Sequence, residues 1–163
     1  MKKIGFIGAY DKTDLLIYIS KLLVENDVKV LIVDATTLQK TRYTVPCIMP
    51  SRKYITTYED MDIAIGFENL QEIMNYAGTQ DFNYDIMLLD IDNRKAFENF
   101  EMYTSDKNYF VTAFDNYSIK KGLETVGQSE EKMLMTKILF SKNMDRDEDE
   151  YLNFLSFYYA VKW

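Results

Sequence analysis

Runs of consecutive apolar residues alternate along this chain with segments in which apolar residues recur every three or four positions. The clearest runs are residues 4–8, 28–34 and 84–90, and each predicts a buried strand. Residues 12–26 predict a helix, because their large aliphatic side chains fall on one face: Leu15, Leu16, Ile19, Leu22 and Leu23. Continuous apolar strands joined through a helix indicate a parallel sheet that is covered on both faces.

The rest of the chain repeats this alternation with weaker patterns. Further strands are predicted at 43–47, 54–57, 62–66, 108–112 and 133–141, and further helices at 67–77, 94–103 and 116–126. Gly78 is expected to end the first of these helices. The acidic run 145–150 lacks the spacing of a calcium loop, so it predicts a solvated helix start rather than a metal site. We therefore predict one α/β domain over residues 1–163, with a mostly parallel sheet between two layers of helices.

Composition removes several classes of function. The net charge of −7 disfavours direct binding to nucleic acid. The chain has no histidine and one cysteine, which excludes disulfide frameworks, zinc sites of the Cys/His type and an imidazole base. No apolar run approaches the roughly 18 residues of a membrane span, and the first one is too short for a signal peptide. A cytoplasmic location is the resulting expectation.

The first strand leads into a segment with the layout of a phosphate-binding loop. Gly8 provides the turn, and Lys12 and Thr13 open the following helix, as in a Walker A motif. That motif, G-x-x-x-x-G-K-[ST], has five residues between its first glycine and its lysine, whereas here there are three. The arc is thus up to about 7 Å shorter. The second glycine is absent, and Asp11 brings a negative charge to the place of a phosphate.

Acidic residues follow the other predicted strands at their carboxyl ends. Asp34 and Asp90 end two of the strongest strands, and the pair Phe114-Asp115 follows a weaker one. Ligands of open α/β sheets bind at this edge, near the point where the strand order reverses. These residues and Gly8 could therefore converge in one crevice.

With this order of elements, the sequence resembles the ParA/MinD-like branch of P-loop ATPases, the deviant Walker A group, which includes proteins that help to place pili and secretion machines. The likeness covers most of residues 2–141. It is carried by the opening loop, by the strand at 29–34 and by residues 84–90, which resemble the Walker B strand. The strand and helix within 109–126 follow in the expected order. The resemblance implies a P-loop NTPase-like fold.

The resemblance also implies a role for five candidate cofactor-binding residues. Gly8 would belong to the phosphate loop, Lys12 would contact the β- and γ-phosphates, and Thr13 would hold Mg²⁺. Asp34 would lie beside the nucleophilic water or a switch, and Asp90 would bind the metal through water. Active members carry a K-G-G-x-G-K-[ST] loop, and neither its first lysine nor its paired glycines are present here.

Each candidate also has a purely structural interpretation. Gly8 would then only permit a tight turn with close packing. Thr13 or Asp11 would be a helix N-cap, and Lys12 would be solvated. For Asp34 and Asp90, the cofactor-binding interpretation and the structural interpretation both remain open.

The leading hypothesis is a degenerate ParA/MinD-like protein that acts through protein contacts in localisation, assembly or regulation. It would be a pseudo-ATPase with no catalytic residues, little or no ATP hydrolysis and no bound cofactor; ATP and Mg²⁺ are the expected ligands if the site is functional. Its partner would be another protein, such as a secretion, pilus or partition component, and a homodimer is plausible. At 163 residues the chain is shorter than typical members, so elements that complete the site could be missing.

Two alternatives remain open. One is an active ATPase or nucleotide switch whose missing lysine comes from a partner subunit. The other is a receiver-like signalling domain with Asp90 as the phosphoacceptor.

Overall fold

The computed structural model describes residues 1–46, 51–78, 82–128, 132–140 and 146–163, and for residues 146–149 only the backbone is described. The strands are β1 Lys2–Ile7, β2 Val30–Asp34, β3 Tyr54–Tyr58, β4 Met61–Ile65, β5 Ile86–Ile91, β6 Lys107–Ala113, β7 Met133–Leu134, β8 Thr136–Phe140 and β9 Val161–Lys162. The helices are α1 Thr13–Val24, α2 Thr41–Thr44, α3 Leu70–Ala77, α4 Arg94–Asn99, α5 Asn116–Val126 and α6 Arg146–Ser156, with a 3₁₀ turn at Met102–Thr104. None of the helices in these ranges has the length and apolar character needed to cross a membrane.

Seven strands form one sheet in the order β3-β4-β2-β5-β1-β6-β8. All neighbours in it are parallel except β3, which runs antiparallel to β4 at one edge. Strands β7 and β9 form a separate parallel pair. The predicted α/β fold with a mostly parallel sheet is confirmed.

Helices cover both faces of the sheet, and the alternation along β1 shows how. Phe6 packs on one face with Leu16 and Ile17 of α1. Ile7 packs on the other face, in a cluster with buried residues of α3, α4, α5 and α6: Ile73, Phe97, Leu123 and Leu152. All five residues of β2 are buried. The continuous apolar runs in the sequence reflect strands that have a helix layer on each side.

The strand predicted at 43–47 is wrong over the part of it that the structure describes. Tyr43 and Thr44 belong to the helical turn α2, while Cys47 lies outside the described residues. The backbone N–H of Thr41 donates to Oδ2 of Asp34 (3.1 Å), which fixes the start of that turn. A side-chain contact to the end of β2 therefore outweighs the β-propensity of the segment.

Two other predicted elements are interrupted inside their predicted bounds. The helix predicted at 94–103 ends at Asn99, because Glu101 adopts a left-handed conformation (φ 52°) and the chain continues in the 3₁₀ turn. The strand predicted at 133–141 is divided into β7 and β8, and Ser141 lies outside the described residues.

The strand order also corrects the receiver-like alternative. Receiver domains have the flavodoxin-like order 2-1-3-4-5, in which the first two strands are neighbours. In this chain β5 lies between β1 and β2. The strand that carries Asp90 thus separates β1 from β2, and the receiver interpretation is wrong.

Candidate functional site

The candidate site lies at the carboxyl ends of β1, β5 and β2, where the connections leave in opposite directions. In the sheet these strands lie in the order β2-β5-β1-β6. The connection after β1 crosses β5 to reach β2, and the connection after β5 crosses β1 in the opposite direction to reach β6. Such a switch point leaves a crevice in an open α/β sheet. A cavity of about 70 Å³ occupies it, lined by residues 9–13, by Thr36, Leu38 and Lys40, and by Asp90 and Asp92.

Gly8 turns the chain from β1 into the loop. Its N–H donates to the carbonyl of Ile91 (2.9 Å), and its φ of 145° is a conformation that side chains disfavour. A Cβ atom on Gly8 would lie 2.1 Å from the carbonyl oxygen of Val111. Packing and backbone conformation are therefore sufficient reasons for glycine at this position, as the structural interpretation predicts.

Lys12 is turned inward, so the prediction that it would be solvated is wrong. Its side chain is 1% exposed, and its Nζ donates to the carbonyl oxygens of Gly8 (2.6 Å) and Tyr10 (2.9 Å). The same Nζ lies 2.9 Å from Oδ1 of Asp90. An ammonium group has three N–H donors, and three oxygen atoms of the chain surround this one.

Asp90 is buried beside Lys12 at the end of β5. Burial raises the pKa of Asp90 to about 7; Lys12 opposes that shift, and the charges of Asp34 and Asp92 add to it. Asp90 therefore depends on the lysine for its charged state. A phosphate that drew Lys12 away would leave this carboxyl without its cation and add negative charge beside it.

Asp11 takes the place at the α1 N-terminus where a phosphate loop would hold its anion. Its Oδ1 accepts from the backbone N–H of Thr13 (3.1 Å), and its Oδ2 accepts from Nζ of Lys40 (2.9 Å). Partial burial alone would raise the pKa of Asp11, but these hydrogen bonds outweigh it and leave the pKa lowered. The N-cap residue of α1 is Lys12, so the prediction that Asp11 or Thr13 would be the N-cap is wrong. Asp11 precedes the cap and accepts from the first amide of the helix, while Thr13 is buried at the cavity.

Asp34 is next to Asp90 in the sheet but does not line the cavity. The two residues are register partners across β2 and β5. Oδ1 of Asp34 accepts from the N–H (3.0 Å) and hydroxyl (2.6 Å) of Thr36, and Oδ2 accepts from Thr41. Asp92 holds the same loop, since its Oδ1 accepts from the N–H of Thr37 (2.8 Å). Both carboxylates therefore fix the loop between β2 and α2.

The strand end at Phe114-Asp115, which was expected to converge with the other three, does not reach the cavity. Asp115 accepts a hydrogen bond from the N–H of Ser118 (2.7 Å) and caps α5, and neither it nor Phe114 lines the cavity. The structure thus brings Lys12, Thr13 and Asp90 together around the cavity. Gly8 contributes a carbonyl oxygen to the contacts of Lys12.

Lys40 belongs to the site although no sequence pattern pointed to it. It contacts Asp11 across 29 positions of the chain, and this contact raises its pKa. The residue lies at the end of an irregular loop, whose path depends on Asp34 and Asp92. In the sequence, only the negative charge of Asp11 in the loop indicated that a cation lies nearby.

The arrangement does not fit a magnesium-bound triphosphate. Such a ligand needs free backbone N–H groups, a free lysine and space, and typical ligand sites have roughly 300–1,000 Å³. The cavity has about 70 Å³. Lys12 is surrounded by oxygen atoms of the chain, and Asp11 already accepts from the amide of Thr13.

No protein-family model matches the sequence, and no curated protein is significantly similar to it. Solved structures do match the fold. A chain of the MinC:MinD cell division protein complex of Aquifex aeolicus superposes with a TM-score of 0.51 at 19% identity, over 77% of this chain. The present chain spans only 62% of the length of that one.

Two further structures match over more of their length. A ParA family ATPase from Chlorobium tepidum has a TM-score of 0.54 at 14% identity, covering 93% of this chain and 79% of that one. A plasmid partition protein from Borrelia burgdorferi has a TM-score of 0.52 at 12% identity, covering 95% and 85% respectively. At these identities the likeness concerns the fold. The chain therefore has the α/β fold of the MinD and ParA ATPases.

Proposed function

We propose that this chain is a degenerate ParA/MinD-like protein with little or no ATP hydrolysis, which acts in the cytoplasm through contacts with other proteins. Its role would be in localisation, assembly or regulation. The observation that carries the proposal is the buried position of Lys12, whose ammonium group contacts Asp90 and two loop carbonyls. The residue that the resemblance assigns to the phosphates thus stabilises the loop itself.

The shortened loop explains this position of the lysine. Only three residues separate Gly8 from Lys12, so the loop carbonyls of Gly8 and Tyr10 lie within hydrogen-bond distance of Nζ. An incoming triphosphate would have to break both hydrogen bonds and leave Asp90 buried without its partner. Removing one partner of a buried ion pair typically costs about 3–5 kcal/mol.

Protein contacts are the use that the solved structures suggest for the fold. One structural match is a chain of a MinC:MinD cell division protein complex. The present chain would keep the sheet and helices for such contacts, with a protein partner of the secretion, pilus or partition type or with a second copy of itself. Its net charge of −7 supports a protein partner rather than nucleic acid.

Isothermal titration calorimetry with ATP and Mg²⁺, combined with a phosphate-release assay, tests the proposal. We expect no saturable heat of binding in the millimolar range and no turnover above the buffer blank. A working ParA-type ATPase, measured in the same buffer, is the positive control. Tight binding with measurable turnover would overturn the proposal.

The second candidate is an ATP-binding switch that is completed by a partner subunit. It is favoured by one observation: Lys12, Thr13 and Asp90, the residues assigned to phosphate and Mg²⁺, line the same cavity. In this case ATP would promote dimerisation, and Lys12→Ala would abolish that effect. Light scattering of the wild type and the variant with and without ATP separates the two candidates, since the pseudo-ATPase proposal predicts no effect of ATP on either.

A further inference from the structure

A larger cavity lies at the opposite edge of the sheet from Lys12. It has a volume of about 370 Å³ and is formed at the amino ends of β2, β4 and β5. This volume is within the usual range for small-molecule sites, roughly 300–1,000 Å³. Nothing in the proposed function above uses this cavity.

One wall of the cavity carries a carboxylate that is held in place by two hydroxyl groups. The hydroxyl of Thr57 donates to Oδ1 of Asp62 (2.6 Å), and the hydroxyl of Tyr84 donates to Oδ2 (2.7 Å). Burial and the contact with Asp62 raise the pKa of Tyr84, so this phenol stays a donor. A carboxylate has about four acceptor positions, so Asp62 can accept further hydrogen bonds from a ligand.

The remaining lining combines aromatic rings with a second carboxylate. The rings of Phe82 and Tyr84 lie 6.0 Å apart at an angle of 45°, and Asp60 lines the cavity together with Asp62. The only lysine among the described lining residues is Lys29, which is exposed and forms no ion pair with either carboxylate. Two carboxylates and one ammonium group give the lining a net negative charge.

We propose that this cavity binds a small organic cation, with an ammonium or guanidinium group on an apolar or aromatic body. Asp62 and Asp60 would accept hydrogen bonds from the cationic group, and charge-assisted bonds of this kind are the stronger ones. The faces of Phe82 and Tyr84 would contact the ligand through cation–π and apolar interactions. The oriented Asp62 makes the site selective against anions and neutral analogues.

Titration followed by NMR, with phenethylamine as the probe, tests this proposal. Its matched control is 3-phenylpropionate, which carries the same ring with a carboxylate in place of the amine. We expect saturable shifts of the Phe82 and Tyr84 ring signals with phenethylamine, and binding of 3-phenylpropionate that is weaker by roughly tenfold or more. Equal binding of the two probes, or no saturation with phenethylamine up to its solubility limit, would overturn the proposal.

Variants of the two carboxylates locate the binding. Asp62→Asn removes the charge but keeps an acceptor, and we expect it to weaken phenethylamine binding roughly tenfold. Asp60→Asn should weaken it severalfold; asparagine suits the left-handed conformation of this position (φ 61°), so this variant decides the test if Asp62→Asn does not fold. Asp14→Asn removes an exposed carboxylate of α1 as the control. If neither Asp60→Asn nor Asp62→Asn changed the affinity for phenethylamine, the proposed binding site would be wrong.

Discussion

The Nζ of Lys12 lies 2.9 Å from Oδ1 of Asp90, and both side chains are almost completely buried. By the resemblance to ParA/MinD-like ATPases, one would contact phosphate and the other a metal-bound water. Here they contact each other instead. The pair joins the loop after β1 to the end of β5, so two elements of the candidate site are held together without a ligand.

Replacing Lys12 should destabilise the protein, because it leaves Asp90 buried without a cation. We expect Lys12→Met to lower the free energy of unfolding by roughly 3–5 kcal/mol in urea denaturation at about pH 9, where Asp90 of the wild type is ionised. Lys40→Met is the matched control, since Lys40 pairs with Asp11 at the surface and such pairs contribute less than about 1 kcal/mol. Equal losses in the two variants would contradict the structural role of Lys12.

Asp90 should make stability depend on pH. Its pKa in the folded protein is about 7, above the 3.8 that is usual for an aspartate side chain, so the folded state binds the proton more tightly than the unfolded state. The contribution of Asp90 to stability is therefore largest below the unfolded pKa, declines as the pH rises towards 7, and is constant above it.

Comparison with Asp90→Asn isolates this contribution. The free energy of unfolding of the wild type minus that of the variant should fall between pH 4 and pH 7. Chemical denaturation at several pH values measures it. A difference that rises over this range would show that the pKa of Asp90 is lowered instead.

Gly8 should tolerate no side chain. Gly8→Ala places a Cβ 2.1 Å from the Val111 carbonyl oxygen at a φ of 145°, and we expect a loss of at least about 2 kcal/mol of stability. Gly78→Ala is the control: Gly78 also has a positive φ (66°), but a Cβ there meets nothing within 4 Å. That variant should lose only about 1 kcal/mol. Thermal denaturation measures both variants, and equal losses would contradict the requirement for glycine at position 8.

Asp34 should order the loop between β2 and α2. Asp34→Ala removes the acceptor of Thr36 and Thr41, and we expect the amides of these two residues to exchange hydrogen at least about tenfold faster. Hydrogen exchange followed by NMR measures both amides. In the control variant Asp115→Ala, faster exchange should be confined to the start of α5, where Asp115 accepts from Ser118. Unchanged exchange at Thr36 and Thr41 in Asp34→Ala would refute this role.

Elements with strong local patterns could be predicted from the sequence. Helix α5 has the predicted bounds, Asn116–Val126, since its apolar positions recur at helical spacing and Asp115 caps it. Gly78 ends α3 in a left-handed conformation, as expected. In both cases the residues that determine the element lie within or next to it. The strand predicted at 43–47 is wrong over its described residues, because the helical turn there depends on a contact with Asp34, in another element.

The contacts of the site could be predicted only in part. The short loop and the charge of Asp11 were visible in the sequence, and so were the acidic ends of β2 and β5. The inward position of Lys12 was not, because it depends on Asp90, which is distant in the chain. The contact of Lys40 with Asp11 could not be predicted either, because these residues are also distant in the chain. Sequence patterns indicate which groups reach one sheet edge, but the pairing of charges there requires the packed loops.

The most direct test of the account is the ¹⁵N NMR signal of the Lys12 ammonium group, assigned with Lys12→Arg, during titration with ATP and Mg²⁺. Because the group is buried and contacts Gly8, Tyr10 and Asp90, we predict a signal protected from exchange with water, whose chemical shift does not change as ATP is added. A saturable shift of this signal with ATP, accompanied by line broadening of the phosphate resonances, would show that Lys12 leaves Asp90 for the nucleotide and would contradict the account.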